Sequence, residues 1–267
     1  MTISITHLNG SSAEFDDLAP LAFAGYAHFT AMQVRDHQVR GLDLHLDRLR
    51  KASDELFGHH LPDQVLLEQL RSALASAPPD VSLTCFITSR PGEFARVRNT
   101  VDLDVLVKVT DPATPPTGPL ALASIGHERH LPHIKHVGEV AKTQLLRHAN
   151  ALGFDDAVFT DRSGWISEAT IWNLAFWDGG SVIWPQAELL TGVTMQIVAR
   201  RLRDLGVPQR TREIRVSELD EGLAGVVMNS WSPGIQVTRI GDRALAHGPE
   251  FATLLHDAYA GEPAVAL

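Results

Sequence analysis

The chain is short of several residue types, and each shortage excludes a class of protein. It has one cysteine in 267 residues, Cys85, within "VSLTCFITS". A lone cysteine makes neither an internal disulfide nor a cysteine-rich zinc site. Its alternating, strand-like surroundings mark it as a buried structural thiol. No apolar run approaches the ~20 residues that span a bilayer. The N-terminus, "MTISITHLNGSSAEFDD", lacks the basic region and apolar core of a signal peptide. A cytoplasmic protein with no membrane partner is therefore expected. Positive charge is also scarce: 23 Lys and Arg against 32 Asp and Glu give a formal net charge of −9. That balance argues against nucleic acid as a partner, because binding a phosphate backbone needs a basic excess, but it leaves room for a local basic pocket around one small phosphate.

What is present suits a globular protein. Apolar residues make up 44% of the chain, enough for an ordinary core, and the length allows one large domain or two modest ones. Apolar and polar residues alternate through 26–39, "YAHFTAMQVRDHQV", with Arg35-Asp36-His37 as a turn, which predicts a β-hairpin. Leu42, Leu46, Leu49 and Leu56 recur near helical spacing before Gly58, predicting an amphipathic helix over 41–58. A second helix is expected at 63–75 after Pro62, then strands at 81–88 and 101–109. The stretch 111–120, "DPATPPTGPL", holds four prolines and a glycine, and proline supplies no amide donor. The expected organisation is a smaller N-terminal domain at 1–112, a Pro-rich linker at 113–120 and a larger domain at 121–267. Beyond the linker come a strand in "LALASI", a helix at 139–151 closing at Gly153, a series of strands, and a helix starting near Gly192. Strands near 211–216, 224–230 and 235–240 and a helix at 248–258 complete the pattern. This mixed order predicts two α+β domains, not a regular βαβ alternation.

Histidines recur every third residue in "HERHLPHIKH", at His127, His130, His133 and His136. Pro132 breaks any helix that would align them. An extended polyproline-like segment would align them, but over ~28 Å at ~3.1 Å per residue, too far for four ligands to converge on one ion. No metal site is expected. Lys135, inside the same run, is the more informative residue. Eighteen residues after it comes Gly153 in "GFDDAV", and then "GWISEATIWN", which carries Gly164, Ile166, Ser167, Glu168 and Asn173. Upstream stands "HLDRL" at 45–49, and downstream "LLTGVTMQI" and "VVMNSWSPGIQV".

Taken in this order, the motifs resemble those of the class IV aminotransferases. These fold-type IV pyridoxal-phosphate (PLP) enzymes include branched-chain and D-amino-acid aminotransferases and aminodeoxychorismate lyase. The resemblance spans residues 20–240 and implies a two-domain α+β fold, PLP as cofactor, a homodimer, and a site built between domains. It implies that Lys135 forms the imine with the cofactor aldehyde and then moves a proton. Glu168 would face the pyridine nitrogen, whose protonation makes the ring an electron sink; a buried carboxylate needs such a positive partner. Val193 and Thr194, at a helix start, would receive the phosphate with Arg48 and Ser230. His28, Thr30, Trp172, Trp231 and Ser232 are candidates for the substrate wall, and Arg90 or Arg35 for a substrate carboxylate. Lys142, seven residues after Lys135, reads as a solvated helix lysine.

The departures fall on the substrate side. Val140 stands where branched-chain enzymes carry a tyrosine, and the lyase resembles this chain better there. In "FTAMQV", Ala31 and Gln33 replace a lyase threonine and an arginine. The resemblance implies an aminotransferase acting on an amino acid or amine and a 2-oxo acid. A lyase eliminating pyruvate is the alternative. A non-catalytic or metal-binding relative of the same fold would have no physical need for the set Lys135, Glu168, Arg48 and Thr194.

Overall fold

A computed structural model describes residues 2–90 and 101–267. The chain divides into two compact units. One comprises Met1–Thr114, Ile134–Gly138 and Pro263–Leu267, the other Pro115–His133 and Glu139–Glu262.

In the first unit the strands are β1 (Ser4–Leu8), β2 (Ser11–Ser12), β3 (Ala27–Val34), β4 (Gln38–Arg40), β5 (Val81–Arg90) and β6 (Asp102–Thr110). Five of them form a sheet in the order β2-β1-β6-β5-β3, antiparallel at every pairing. The β3–β4 hairpin turns at Arg35–Gln38. Asp36 and His37 adopt positive φ there, and Asp36 N donates to Asp80 Oδ1 at 2.9 Å. Helices α1 (Leu42–Phe57) and α2 (Asp63–Leu74) pack on the sheet, α1 against β3 and β5 and α2 against β6 and β1. Gly58 ends α1 at φ 79°, a conformation glycine adopts without steric cost. Leu46, Leu49, Leu66 and Leu70 meet Met32, Val34, Leu83, Cys85 and Ile87 in one core. Full burial of a leucine such as Leu49 contributes about 2 kcal/mol. Cys85 is buried, and burial pushes its thiol up to about 12, so it behaves as a small hydrophobe.

The second unit is a nine-stranded mixed sheet with three helices. Its elements are β7 (Leu120–Gly126), α3 (Val140–Ala151), β8 (Asp156–Thr160), β9 (Ile166–Ala169), β10 (Asn173–Trp177), β11 (Val182–Pro185), α4 (Val193–Asp204), β12 (Gln209–Arg212), β13 (Ala224–Asn229), β14 (Ser232–Ile240), β15 (Arg243–Ala244) and α5 (Pro249–Ala260). The sheet order is β12-β11-β10-β13-β14-β7-β8-β9, with β15 beside β14. Pairs β11/β12, β14/β7 and β7/β8 are parallel. Helix α3 packs on β7 and β8, while α4 and α5 pack on each other and on β13 and β14. A last strand, β16 (Ala264–Ala266), pairs with β4 of the first unit's part of the chain. The architecture is α+β, as the mixed order of elements predicts. The strand expected at 211–216 lies instead at Gln209–Arg212, and the short strands β1, β2 and β16 have no periodicity long enough to announce them. No helix of the described residues is long and apolar enough to cross a membrane.

Candidate active site

Lys135 is placed by backbone pairing. Residues 134–138 add a short edge beside β3: Phe29 N donates to Lys135 O at 2.8 Å, and Val137 N to Ala27 O at 3.0 Å. His28 and His136 complete the bridge, and Ile134, 2% exposed, anchors it. The Lys135 ammonium lies 4.8 Å from the centroid of the Phe29 ring, in cation–π range. Side chains alternate along a strand, so Lys135 shares the face of β3 that carries Phe29, Ala31 and Gln33.

The opposite face of β3 carries His28 and Thr30. Both are fully buried against α1. His28 Nε2 meets Ser53 Oγ at 2.8 Å, and Thr30 Oγ1 meets His45 Nδ1 at 2.6 Å. Burial pulls the His28 imidazole down to about 3; burial and then the Arg48 charge do the same to His45. The histidine of "HLDRL" thus fixes α1 to β3. Arg48, one turn on, is half-buried, and burial lowers its guanidinium to about 10. Arg35 donates to Val34 O, Val81 O and Gln33 Oε1, so its guanidinium braces the hairpin. Arg90 ends β5 opposite Asp102, and its side chain lies outside the described residues.

In the second unit Glu168, 4% exposed on β9, sits in a buried charge cluster. Arg129 donates through NH1 to Glu168 Oε1 at 3.0 Å and to Pro132 O at 2.6 Å, and through Nε to Glu139 Oε1 at 2.6 Å. Lys142 Nζ approaches the same Glu168 oxygen at 3.6 Å, with its side chain 13% exposed. This corrects the solvated reading of Lys142: the first turn of α3 aims it inward, and the apolar stripe of that helix is too weak to reveal which face is buried. Burial lowers the Lys142 pKa, and the Glu168 charge opposes that shift. A cavity of about 390 Å³ opens beside Arg129 and Glu168, lined also by His127, Phe159 and Ser167.

The start of α4 forms the third part. The helix has no side-chain cap and no acidic residue in its first turn, which leaves its positive end uncompensated. Asn173 pins the approach: its Nδ2 donates to Leu190 O at 2.6 Å, and its Oδ1 accepts from Gly192 N at 3.0 Å. A Cβ on Gly192 would lie 2.2 Å from Asn173 Oδ1, so a larger residue there displaces the brace or the helix start. Thr194 Oγ1 donates to Asn229 O at 2.9 Å, joining the helix start to the β13–β14 turn that carries Ser230. In that turn Asn229 Oδ1 accepts from Trp231 N at 2.7 Å, and Ser232 is buried with Oγ accepting from Gly234 N. Trp231 is 42% exposed and meets Trp172 edge-on at 5.8 Å. Trp172 itself belongs to the core, its indole N–H held by Asp156 Oδ2 at 2.9 Å, with Thr170 Oγ1 on Oδ1 at 2.6 Å. Burial raises the Asp156 pKa against these hydrogen bonds.

Of the residues singled out from sequence, Lys135 and Arg48 therefore belong to the first unit, and Glu168, Val193, Thr194 and Ser230 to the second. Arg129 and Asn173 have structural roles that sequence reasoning did not assign. For Asn173 the motif itself was the signal; for Arg129 there was none, since its partners lie 10 and 39 residues away. Among the described residues no three His, Cys, Asp or Glu side chains gather as a metal ion requires. His127 instead packs edge-on to Phe159 at 4.8 Å.

This fold is that of the fold-type IV pyridoxal-phosphate enzymes. A branched-chain amino acid aminotransferase from Thermobaculum terrenum, solved in its PLP form, superposes with TM-score 0.82 at 16% identity, over 96% of this chain and 92% of that one. The Escherichia coli branched-chain enzyme gives 0.81 at 16% identity over 96% and 93%. A fold IV transaminase from Curtobacterium pusillum gives 0.79 at 17% identity over 98% and 100%. The family model for "Amino-transferase class IV" matches residues 27–240, and the chain belongs to that family. Among curated proteins, a "Probable branched-chain-amino-acid aminotransferase" of Rickettsia felis is 31% identical over 75 residues, 28% of this chain. That match spans 26% of the relative's own length. The donor set fits the cofactor: an amine, a buried carboxylate, and a glycine-tight helix start with no acid to repel a phosphate.

Proposed function

We propose that this enzyme transfers an amino group between an amino acid or amine and a 2-oxo acid, with Lys135 as the catalytic amine. The reading is supported by the class IV match over residues 27–240, a span that contains both Lys135 and the buried Glu168. Pyridoxal phosphate, when bound, supplies the aldehyde that takes up the amino group and the ring that withdraws electrons. Lys135 Nζ would hold the cofactor aldehyde and, when free, would take up and return the substrate proton. Its place above Phe29 keeps the ammonium against an aromatic face. Glu168 would face the pyridine nitrogen. The first-turn amides at Val193 and Thr194, with Arg48 and Ser230, would hold the phosphate dianion.

Branched-chain amino acids head the list of donors, because the curated relatives and several structural neighbours carry that name. Val140, where those enzymes have tyrosine, is 85% exposed at the start of α3. Trp231, 42% exposed beside Trp172, would stand in the substrate wall. The resemblance also supports a homodimer, with a solution mass near twice 29.2 kDa.

The test is a donor screen. The yellow holoenzyme is mixed with L- and D-amino acids and amines, and the cofactor spectrum is followed. Conversion to the pyridoxamine form with at least one donor, reversed by a 2-oxo acid, supports the reading. An unchanged spectrum throughout, with pyruvate released from aminodeoxychorismate, replaces it with the lyase.

A further inference from the structure

We propose that Lys142 is a positioning residue for the cofactor ring: together with Arg129 it clamps one oxygen of Glu168 and so turns the other oxygen to the pyridine nitrogen. The inference rests on the reading of Glu168 as the carboxylate that faces that nitrogen.

Both cations meet the same atom, Oε1, at 3.0 Å from Arg129 and 3.6 Å from Lys142, and neither contact uses Oε2. All three side chains are buried, with 5, 4 and 13% exposure for Glu168, Arg129 and Lys142. At such burial an ion pair is little screened, and an oxygen that accepts from Arg129 with the Lys142 charge beside it has a restricted orientation. Glu139 holds Arg129 from the far side, so Arg129 is fixed between two carboxylates. The cluster is assembled from the 129–132 loop, the first turn of α3 and β9, so the position of Glu168 is set by three separate pieces of chain.

A lysine seven residues beyond the catalytic one, and beside the carboxylate, also separates two roles. Lys135 stands on the Phe29 face in the first unit, and Lys142 stands against Glu168 in the second. One amine reacts, and the other sets the partner of the ring.

The test compares wild type with Lys142→Met, Lys142→Gln, Lys142→Arg and Glu168→Gln. The readouts are cofactor affinity, the visible circular dichroism of bound PLP, which reports how the ring is held, and the melting temperature of the apoprotein. Lys142→Met and Lys142→Gln are expected to bind PLP about tenfold more weakly and to lose at least about half of the ellipticity per bound cofactor, as loss of a supporting contact does elsewhere. Lys142→Arg restores both. Ellipticity lost in Lys142→Gln while the apoprotein melts as wild type identifies positioning, not folding. Wild-type affinity and ellipticity in both uncharged variants, with Glu168→Gln altered, would overturn the proposal and leave the function standing. If Glu168→Gln is also unchanged, the assignment of Glu168 falls, and the inference with it. A wild type that binds no PLP overturns both.

Discussion

At the scale of single residues, the buried polar pairs between β3 and α1 carry more structural than chemical weight. Thr30 and His45 share one 2.6 Å hydrogen bond with both partners out of solvent. Thr30→Val keeps the shape and leaves His45 Nδ1 unpartnered, so chemical denaturation should report a loss of about 1–3 kcal/mol. The two histidines also make folding sensitive to acid. Their folded-state pKa values, about 3, lie below the unfolded value of 6.5. The stability they contribute is therefore complete above pH 6.5 and is lost as pH falls from there toward 3. By pH 5 each should cost about 2 kcal/mol. Urea titrations at pH 7.5 and 5 check this, and His45→Gln should remove about half of the difference. Sequence order alone singles out Lys135 and Glu168 as candidates, because their spacing is carried by the chain. It could not locate Arg129 or the inward turn of Lys142, because those contacts exist only after loop, helix and strand meet.

At the scale of elements, two-residue periodicity predicted the β3 strand but not which of its faces the helices cover. A strand of alternating residues has two faces, and "AHFTAMQV" offers plausible apolar residues on both. Packing of α1 decides for His28, Thr30, Met32 and Val34 as the inner face. Helix α4 was legible because its glycine start and amphipathic run lie in one stretch. What was hidden is the brace that holds its start, Asn173 on β10, nineteen residues earlier. Gly192→Ala places a methyl 2.2 Å from Asn173 Oδ1 and must shift either the helix start or the brace. Equilibrium titration of the apoprotein should show PLP binding weakened by at least about tenfold, since first-turn amides hold an anion only in register. Unchanged affinity in this variant would mean that the start of α4 is not the phosphate site.

At the scale of the whole molecule, the path of the chain matters more than its order. Residues 134–138 stand between two stretches of the second unit, yet they pair with β3, and the C-terminal Pro263–Leu267 joins the same unit. A composition break at 111–120 gives no hint of either return, because a five-residue segment carries too little periodicity to show where it will pair. The lysine is thereby built into a sheet edge and not left on a free loop, with Ile134 buried beside it. Such anchoring suits an amine that must meet the cofactor in one orientation. The molecule thus carries two buried or half-buried lysines close in sequence but in different units, and the account assigns the chemistry to only one of them.

The measurement that bears on this most directly is borohydride reduction of the holoenzyme followed by peptide mass mapping. The account predicts a single pyridoxyl adduct on Lys135, absent from Lys135→Ala, whose transaminase turnover should fall by at least about a thousandfold. An adduct on Lys142, or yellow protein that reduces without modification of Lys135, would contradict it.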